Sequence, residues 1–257
     1  MITRLKNALR GTLLGWKKHP PVAGRNWHPT WLPLDIPFGR ESEAHPHSPE
    51  ERAELFLAHN TGSTEIETLN WLHATICLTK ATCILETGSL DGLGTIALAA
   101  ACRDNGLGKV HSVEIDPAAC ERLVSRMQRY GLANYVEVHC SGSLEFLQKT
   151  DLVFDFGFFD SLCDIRAEEY CICLDRKIIQ GIAAFHDTSA HRTKSLLNDP
   201  PVAVHNEYRR KIHELARDPR NSGYFEHILS RGLFVIFPEP AAPPPPPETH
   251  CLASVEP

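Results

Sequence analysis

The stretch Cys83-Ile-Leu-Glu86-Thr-Gly88-Ser-Leu-Asp-Gly92-Leu-Gly94-Thr95, followed by Ile96-Ala-Leu-Ala-Ala-Ala101, decides the fold. Cys83 to Leu85 is a short apolar run of the kind that forms a buried strand. A loop holding three glycines follows, and then an Ala-rich helical stretch. Strand, Gly-rich turn and helix in that order make a cofactor-binding crossover. The glycines let the backbone turn sharply and approach a ligand, and the helix N-terminus offers free N–H groups. Glu86 at the strand tip sets a carboxylate beside that ligand. Such a charge opposes a pyrophosphate, which a helix N-terminus otherwise favours, and tolerates a cationic or zwitterionic ligand. An ordinary strand-to-helix turn has the same outline, so the loop alone does not decide the function.

Composition bounds what surrounds it. The chain has 257 residues, 42% of them hydrophobic, enough for a full core. One α/β domain with extensions is expected. The net charge of −6 argues against a general nucleic-acid binder. Nine cysteines (Cys77, Cys83, Cys102, Cys120, Cys140, Cys163, Cys171, Cys173 and Cys251) lack paired metal spacing. Most sit in apolar runs, as free thiols of a reducing, cytoplasmic compartment would. Cys171-Ile-Cys173 is too tight for a zinc knuckle. No apolar run approaches the roughly 20 residues of a membrane span, and Lys6, Asn7 and Arg10 interrupt any signal-peptide core.

The termini differ from the middle. In residues 1–18, Ile2, Leu5, Leu9, Leu13 and Trp16 recur at helical spacing among Arg4, Lys6, Arg10, Lys17 and Lys18. This is either a basic helix for peripheral membrane contact or a helix capping the domain. Residues 19–47, rich in Pro, His and Trp, form an extended arm that covers an active site or serves a homo-oligomer contact. Residues 48–237 make the folded domain, and 238–257, with the run Pro243 to Pro247, a disordered tail.

Within the domain, Ser48-Pro49-Glu50-Glu51 starts a helix, and a second begins at Ser63-Thr64. After the Gly-rich helix, Lys109 to Asp116 is a strand ending in acids, and Asp116 caps a helix with Pro117 at its start and Gly131 at its end. Tyr135–Cys140 is the third strand, followed by the Ser141-Gly142-Ser143 loop and a short helix. Phe154–Ser161 is the fourth strand, Ile165–Ile179 a helix and Gly181–Thr188 the fifth strand. Ser189–Pro201 is a loop offering His191, Arg192 and Lys194 to a substrate, and Val204–Arg217 a helix. Tyr224–Leu229 and Gly232–Phe237 form a terminal hairpin. Glu86, Glu114, Ser143, Asp160, His186 and Asp187 all fall at carboxyl ends of strands, the edge along which open α/β sheets bind ligands. Glu114 is placed for ribose hydroxyls, because Asp116 is used as a cap.

Glu86-x-Gly88-x-x-x-Gly92, Val113-Glu114-Ile-Asp116, Gly142-Ser143 and Phe154-Asp-x-x-Phe-Phe-Asp160 together resemble the motifs of class I S-adenosylmethionine-dependent methyltransferases, over roughly residues 48–237. Within these the chain is similar to small-molecule O-methyltransferases, the catechol-type enzymes and the sugar- and antibiotic-tailoring ones. The resemblance implies a doubly wound, Rossmann-like sheet, mostly parallel with an antiparallel C-terminal strand, and helices on both faces. It implies methyl transfer from S-adenosylmethionine to a hydroxyl of a small-molecule acceptor. Glu86, Gly88, Ser89, Gly92, Glu114, Ser143 and Asp160 are the cofactor-binding positions it indicates. Glu86 would face the cationic methionine end, Glu114 the ribose and Ser143 the adenine. Asp160 and Asp187 match positions that hold Mg²⁺ in metal-dependent members. Two departures stand out. The lysine base of catechol-type enzymes has no counterpart in Asp160-Ser-Leu-Cys-Asp164, and His186 replaces an oxygen ligand.

Two catalytic routes follow for Asp160, His186 and Asp187. A cation on the two aspartates would acidify the acceptor, or His186 would take its proton directly. Two other functions compete: a dinucleotide-dependent oxidoreductase, which the glycine spacing and Glu86 oppose, and a catalytically silent methyltransferase-like module binding a partner through its arm or tail.

Overall fold

The computed structural model describes residues 30–33, 64–90, 92–189, 202–227 and 231–239. The basic helix of 1–18, the helix at Ser48, most of the arm, the loop carrying His191, Arg192 and Lys194, and the Pro-rich tail lie outside the described residues. Apolar runs and helical stretches alternate as α1 (Ile66–Thr79), β1 (Cys83–Thr87), α2 (Leu93–Asn105), β2 (Lys109–Glu114), α3 (Pro117–Arg129), β3 (Val136–Cys140), α4 (Ser143–Lys149), β4 (Phe154–Phe159), α5 (Arg166–Asp175), β5 (Ile179–His186), α6 (Val202–Leu215), β6 (Asn221–His227) and β7 (Leu233–Pro238). The strands form one sheet in the order β3-β2-β1-β4-β5-β7-β6. β1 to β5 pair in parallel, and β7 is antiparallel to both β5 and β6.

Helices cover both faces of this sheet, so nearly every residue of β1 and β4 is buried, without the in–out alternation of a half-exposed sheet. One core layer gathers Leu69 and Ile76 of α1, Ile96 of α2 and Leu123 and Met127 of α3. The other gathers Leu147 of α4, Tyr170 of α5, and Tyr208 and Ile212 of α6. Helix α2 is buried at every position from Leu93 to Cys102. Packed against the sheet and α1, it carries small side chains at Ala97, Ala99, Ala100 and Ala101 and places Ile96 and Leu98 in the core.

Local signals act as the residue types demand. Asp116 accepts hydrogen bonds from the Ala118 and Ala119 amides at 3.0 and 3.2 Å, capping α3. Several boundaries shift: β4 ends at Phe159, α6 spans Val202–Leu215, and β6 begins at Asn221. The helix expected over Ile165–Ile179 ends at Asp175, because Lys177 turns left-handed at φ +56° and releases Ile178 and Ile179 into the core. Strand β5 therefore begins at Ile179 and stops at His186, where Asp187 takes φ +62°. Trp31 of the arm is buried and stacks on His73 with ring centroids 5.1 Å apart. The eight described cysteines are free thiols. Among the described residues, no helix is long and apolar enough to cross a membrane.

Candidate active site at the carboxyl edge of the sheet

The sheet order reverses between β1 and β4, and the carboxyl ends of strands at such a reversal are where open α/β sheets bind ligands. Gly88 lies there at φ +78°, its N–H donating to the Val113 carbonyl at 2.9 Å. A Cβ on Gly88 would stand 2.7 Å from both the Asp160 carbonyl oxygen and the Ser161 Cα. Those are backbone atoms and cannot step aside. Gly88→Ala is accordingly expected to destabilise the protein by about 1–3 kcal/mol, measured by urea unfolding.

Glu86 lies within β1 beneath the loop, 1% exposed. Its carboxylate accepts from Thr95 Oγ1 at 2.5 Å and Ser112 Oγ at 2.7 Å. Burial pushes its pKa up to about 7, and these two hydroxyls only partly offset that. Gly94 in the first turn of α2 is required because the Glu86 carboxylate fills the place of a Cβ. The carboxylate thus points into the start of α2, below the surface that a cofactor would touch.

Glu114, at the tip of β2, holds the loop from the side. Its Oε2 accepts from the amides of Ser89 and Leu90, each at 3.0 Å, and its Oε1 from those of Ile115 and Asp116 at 2.9 and 3.0 Å. Burial pushes its pKa up, but the four N–H groups outweigh that and hold it below the usual carboxylate range. Gly92 caps α2 in a left-handed conformation. Ser143 is turned inward and donates to Glu169, a buried carboxylate that also accepts from Thr87 Oγ1 at 2.9 Å.

The tips of β4 and β5 meet in a buried charge network. Both nitrogens of His186, 1% exposed, face carboxylates: Nε2 lies 2.7 Å from Glu65 and Nδ1 2.9 Å from Asp160. Burial pushes its pKa down, but Asp160, Asp187 and Glu65 override this and raise it to about 10. Arg166, at the start of α5, puts Nη2 3.0 Å from Asp160 and 3.3 Å from Asp187, and Nη1 donates to the His186 carbonyl at 2.7 Å. Arg231 Nε binds Asp187 from the other side at 2.7 Å. Three carboxylates, two guanidiniums and one imidazolium balance in charge. Helix α6 clamps the same segment: Tyr208 donates to the His186 carbonyl at 2.7 Å, and His205 Nε2 lies 2.6 Å from that of Asp187.

The structure therefore brings Asp160, His186 and Asp187 together and sets Glu86, Gly88, Ser89, Gly92 and Glu114 around one loop. Ser143 sits beside Glu169 instead of opening outward. Sequence reasoning missed Glu65, Arg166, Glu169 and Arg231, most of whose partners are distant in the chain. It also missed an apolar rim, Leu90, Ile115 (73% exposed) and Leu162 (65% exposed), each just beyond a strand tip. The signal for Ile115 and Leu162 was an apolar residue one or two places after a polar tip.

Residues 85–188 match a family model described as a methyltransferase domain. No curated protein matches the chain in sequence. Among solved structures, an SAH-bound methyltransferase of Podospora anserina is 19% identical with a TM-score of 0.60, covering 81% of this chain and 100% of its own. The O-methyltransferase TomG of Streptomyces achromogenes, in complex with SAM and involved in tomaymycin synthesis, is 19% identical with a TM-score of 0.57, covering 76% and 91%. An O-methyltransferase of Bacillus cereus in complex with SAH is 23% identical with a TM-score of 0.56, covering 76% and 92%. The chain shares their fold, and its resemblance to class I S-adenosylmethionine-dependent methyltransferases is borne out.

Proposed function

We propose, from the premise of a class I S-adenosylmethionine-dependent methyltransferase domain, that this protein methylates a hydroxyl oxygen of a small-molecule acceptor. The observation that carries the reading is the pair of carboxylates around the Gly-rich loop, Glu86 beneath it and Glu114 beside it. A pyrophosphate would meet the charge of Glu114 and the partly ionised Glu86 there, whereas a sulfonium with its ammonium group is attracted. Gly88 and Ser89 then touch the amino acid portion and Glu114 takes the ribose. The rim of Leu90, Ile115 and Leu162 supplies apolar walls for flat rings. In the transfer, the bond from methyl to sulfur breaks as the bond to the acceptor oxygen forms. The electron pair stays on sulfur, and the acceptor's hydroxyl proton passes to solvent water. The protein's contribution is alignment of the two partners in line.

A divalent cation does not fit the tips of β4 and β5 as they are arranged. Arg166 Nη2 already bridges Asp160 and Asp187, and both His186 nitrogens are spoken for by carboxylates. For the same reason His186, an imidazolium between carboxylates, has no lone pair with which to accept a proton. We assign Asp160, His186 and Asp187 to holding the two strand tips in register beneath the acceptor, and route no step through a metal.

Calorimetric titration with S-adenosylmethionine and S-adenosylhomocysteine, with NAD as control, tests the cofactor. Micromolar binding of both sulfur compounds is expected. Glu114→Ala should weaken it by about a hundredfold, since the variant loses a ribose ligand and frees the amides of Ser89 and Leu90. NAD binding alone would favour the oxidoreductase, and silence toward all three the binding module.

A further inference from the structure

Strands β2 and β3 carry a second cluster away from the strand tips. His111 pairs in register with Glu137, and His139 stands two residues further along the same face of β3, the edge strand of the sheet. His111 Nδ1 and His139 Nε2 are 3.1 Å apart, and the Glu137 carboxylate lies 3.8 Å from each. A tetrahedral zinc with bonds of about 2.0–2.1 Å spaces its donors about 3.3 Å apart. The two imidazoles therefore already stand close to ligand spacing, and the Glu137 carboxylate reaches each through a different oxygen from a little farther out. We propose that His111, Glu137 and His139 form a binding site for a borderline divalent transition metal such as Zn²⁺, separate from the methyl-transfer edge.

Donor chemistry and support agree with this assignment. Two imidazoles and one carboxylate suit zinc and its neighbours and disfavour Mg²⁺, which prefers oxygen ligands. The rings are braced by aromatic neighbours, His139 by Phe146 at 4.5 Å and His111 by Phe154 at 6.0 Å between centroids. Glu137 is exposed, and His139 borders a hollow of about 310 Å³ between β3 and α4, which gives an ion a way in and water a fourth position. An ion here would pin the edge strand to β2 three residues below Glu114.

The test is calorimetric titration of the full chain, stripped with a chelator, against Zn²⁺. One ion per chain at micromolar affinity is expected, with the affinity falling at least tenfold in His139→Gln and in Glu137→Gln. Melting temperature without metal identifies any variant that has lost its fold, and His139→Asn then replaces the failing histidine change. The wild type should also melt at higher temperature with zinc than without, and the variants should lose that shift. No binding at hundred-micromolar zinc overturns the site. Undiminished binding in either variant does so too, since the ion would then sit on other histidines or thiols. None of these readouts depends on methyl transfer.

Discussion

Arg166→Ala should destabilise the protein by about 3–5 kcal/mol in urea unfolding at neutral pH. The side chain is almost wholly buried and donates to Asp160, Asp187 and the carbonyls of Ser161 and His186. Removing it leaves Asp160 and Asp187 in a low-dielectric setting with one positive partner fewer. An excess buried negative charge is much more expensive than the loss of the pair as a whole. Arg166→Lys should recover only part of the loss, because an ammonium cannot span two carboxylates and two carbonyls with a planar fork. A loss below about 1 kcal/mol, the size of a surface pair, would mean that water reaches the network.

Glu86→Gln is expected to act in opposite directions on stability and on cofactor binding. The Glu86 carboxyl titrates near 7 in the folded protein, against an ordinary value of 4.5. Between those values the unfolded chain has released the proton and the folded chain keeps it, so stability falls as the pH rises and the full penalty is present above 7. Glutamine keeps an oxygen for Thr95 and Ser112 but cannot ionise. The variant should therefore be more stable than the wild type at pH 8, by on the order of 3 kcal/mol, and nearly equal to it at pH 4.5. Its affinity for S-adenosylmethionine should fall at pH 8, where the wild type presents a full negative charge under the loop. Calorimetry and unfolding at both pH values check this. Equal stability of the two proteins at pH 8 would show that Glu86 is not ionised against its surroundings.

Much of this was legible in the chain because local chemistry determines it. Cys83-Ile-Leu before three glycines, Asp116-Pro117 before α3, and polar residues ending apolar runs each act within a few residues of themselves. The carboxyl edge was found for that reason. What Glu86, Ser143 and His186 do there was not, because their partners are remote. Thr95 and Ser112 arrive from α2 and β2, Glu169 from α5, and Glu65 from a segment more than a hundred residues before His186. A histidine at a strand tip is a base when one nitrogen is free and a structural cation when both meet carboxylates. Only the tertiary fold distinguishes the two. The end of α5 was obscured for another reason: Ile178 and Ile179 continue a helical pattern equally well as they begin β5, and the left-handed Lys177 between them and the helix carries no glycine to announce it.

The enclosure of α2 bears on how the protein breathes. Amide exchange proceeds through openings whose free energy rises with the apolar surface they expose. Ten consecutive buried residues flanked by β1 place α2 among the last segments to open. The Gly-rich loop is anchored at both ends in that slow-exchanging unit. Partial openings at the edge strands β3 and β6 can therefore come and go while the loop keeps its shape, so a bound cofactor need not leave each time the periphery frays.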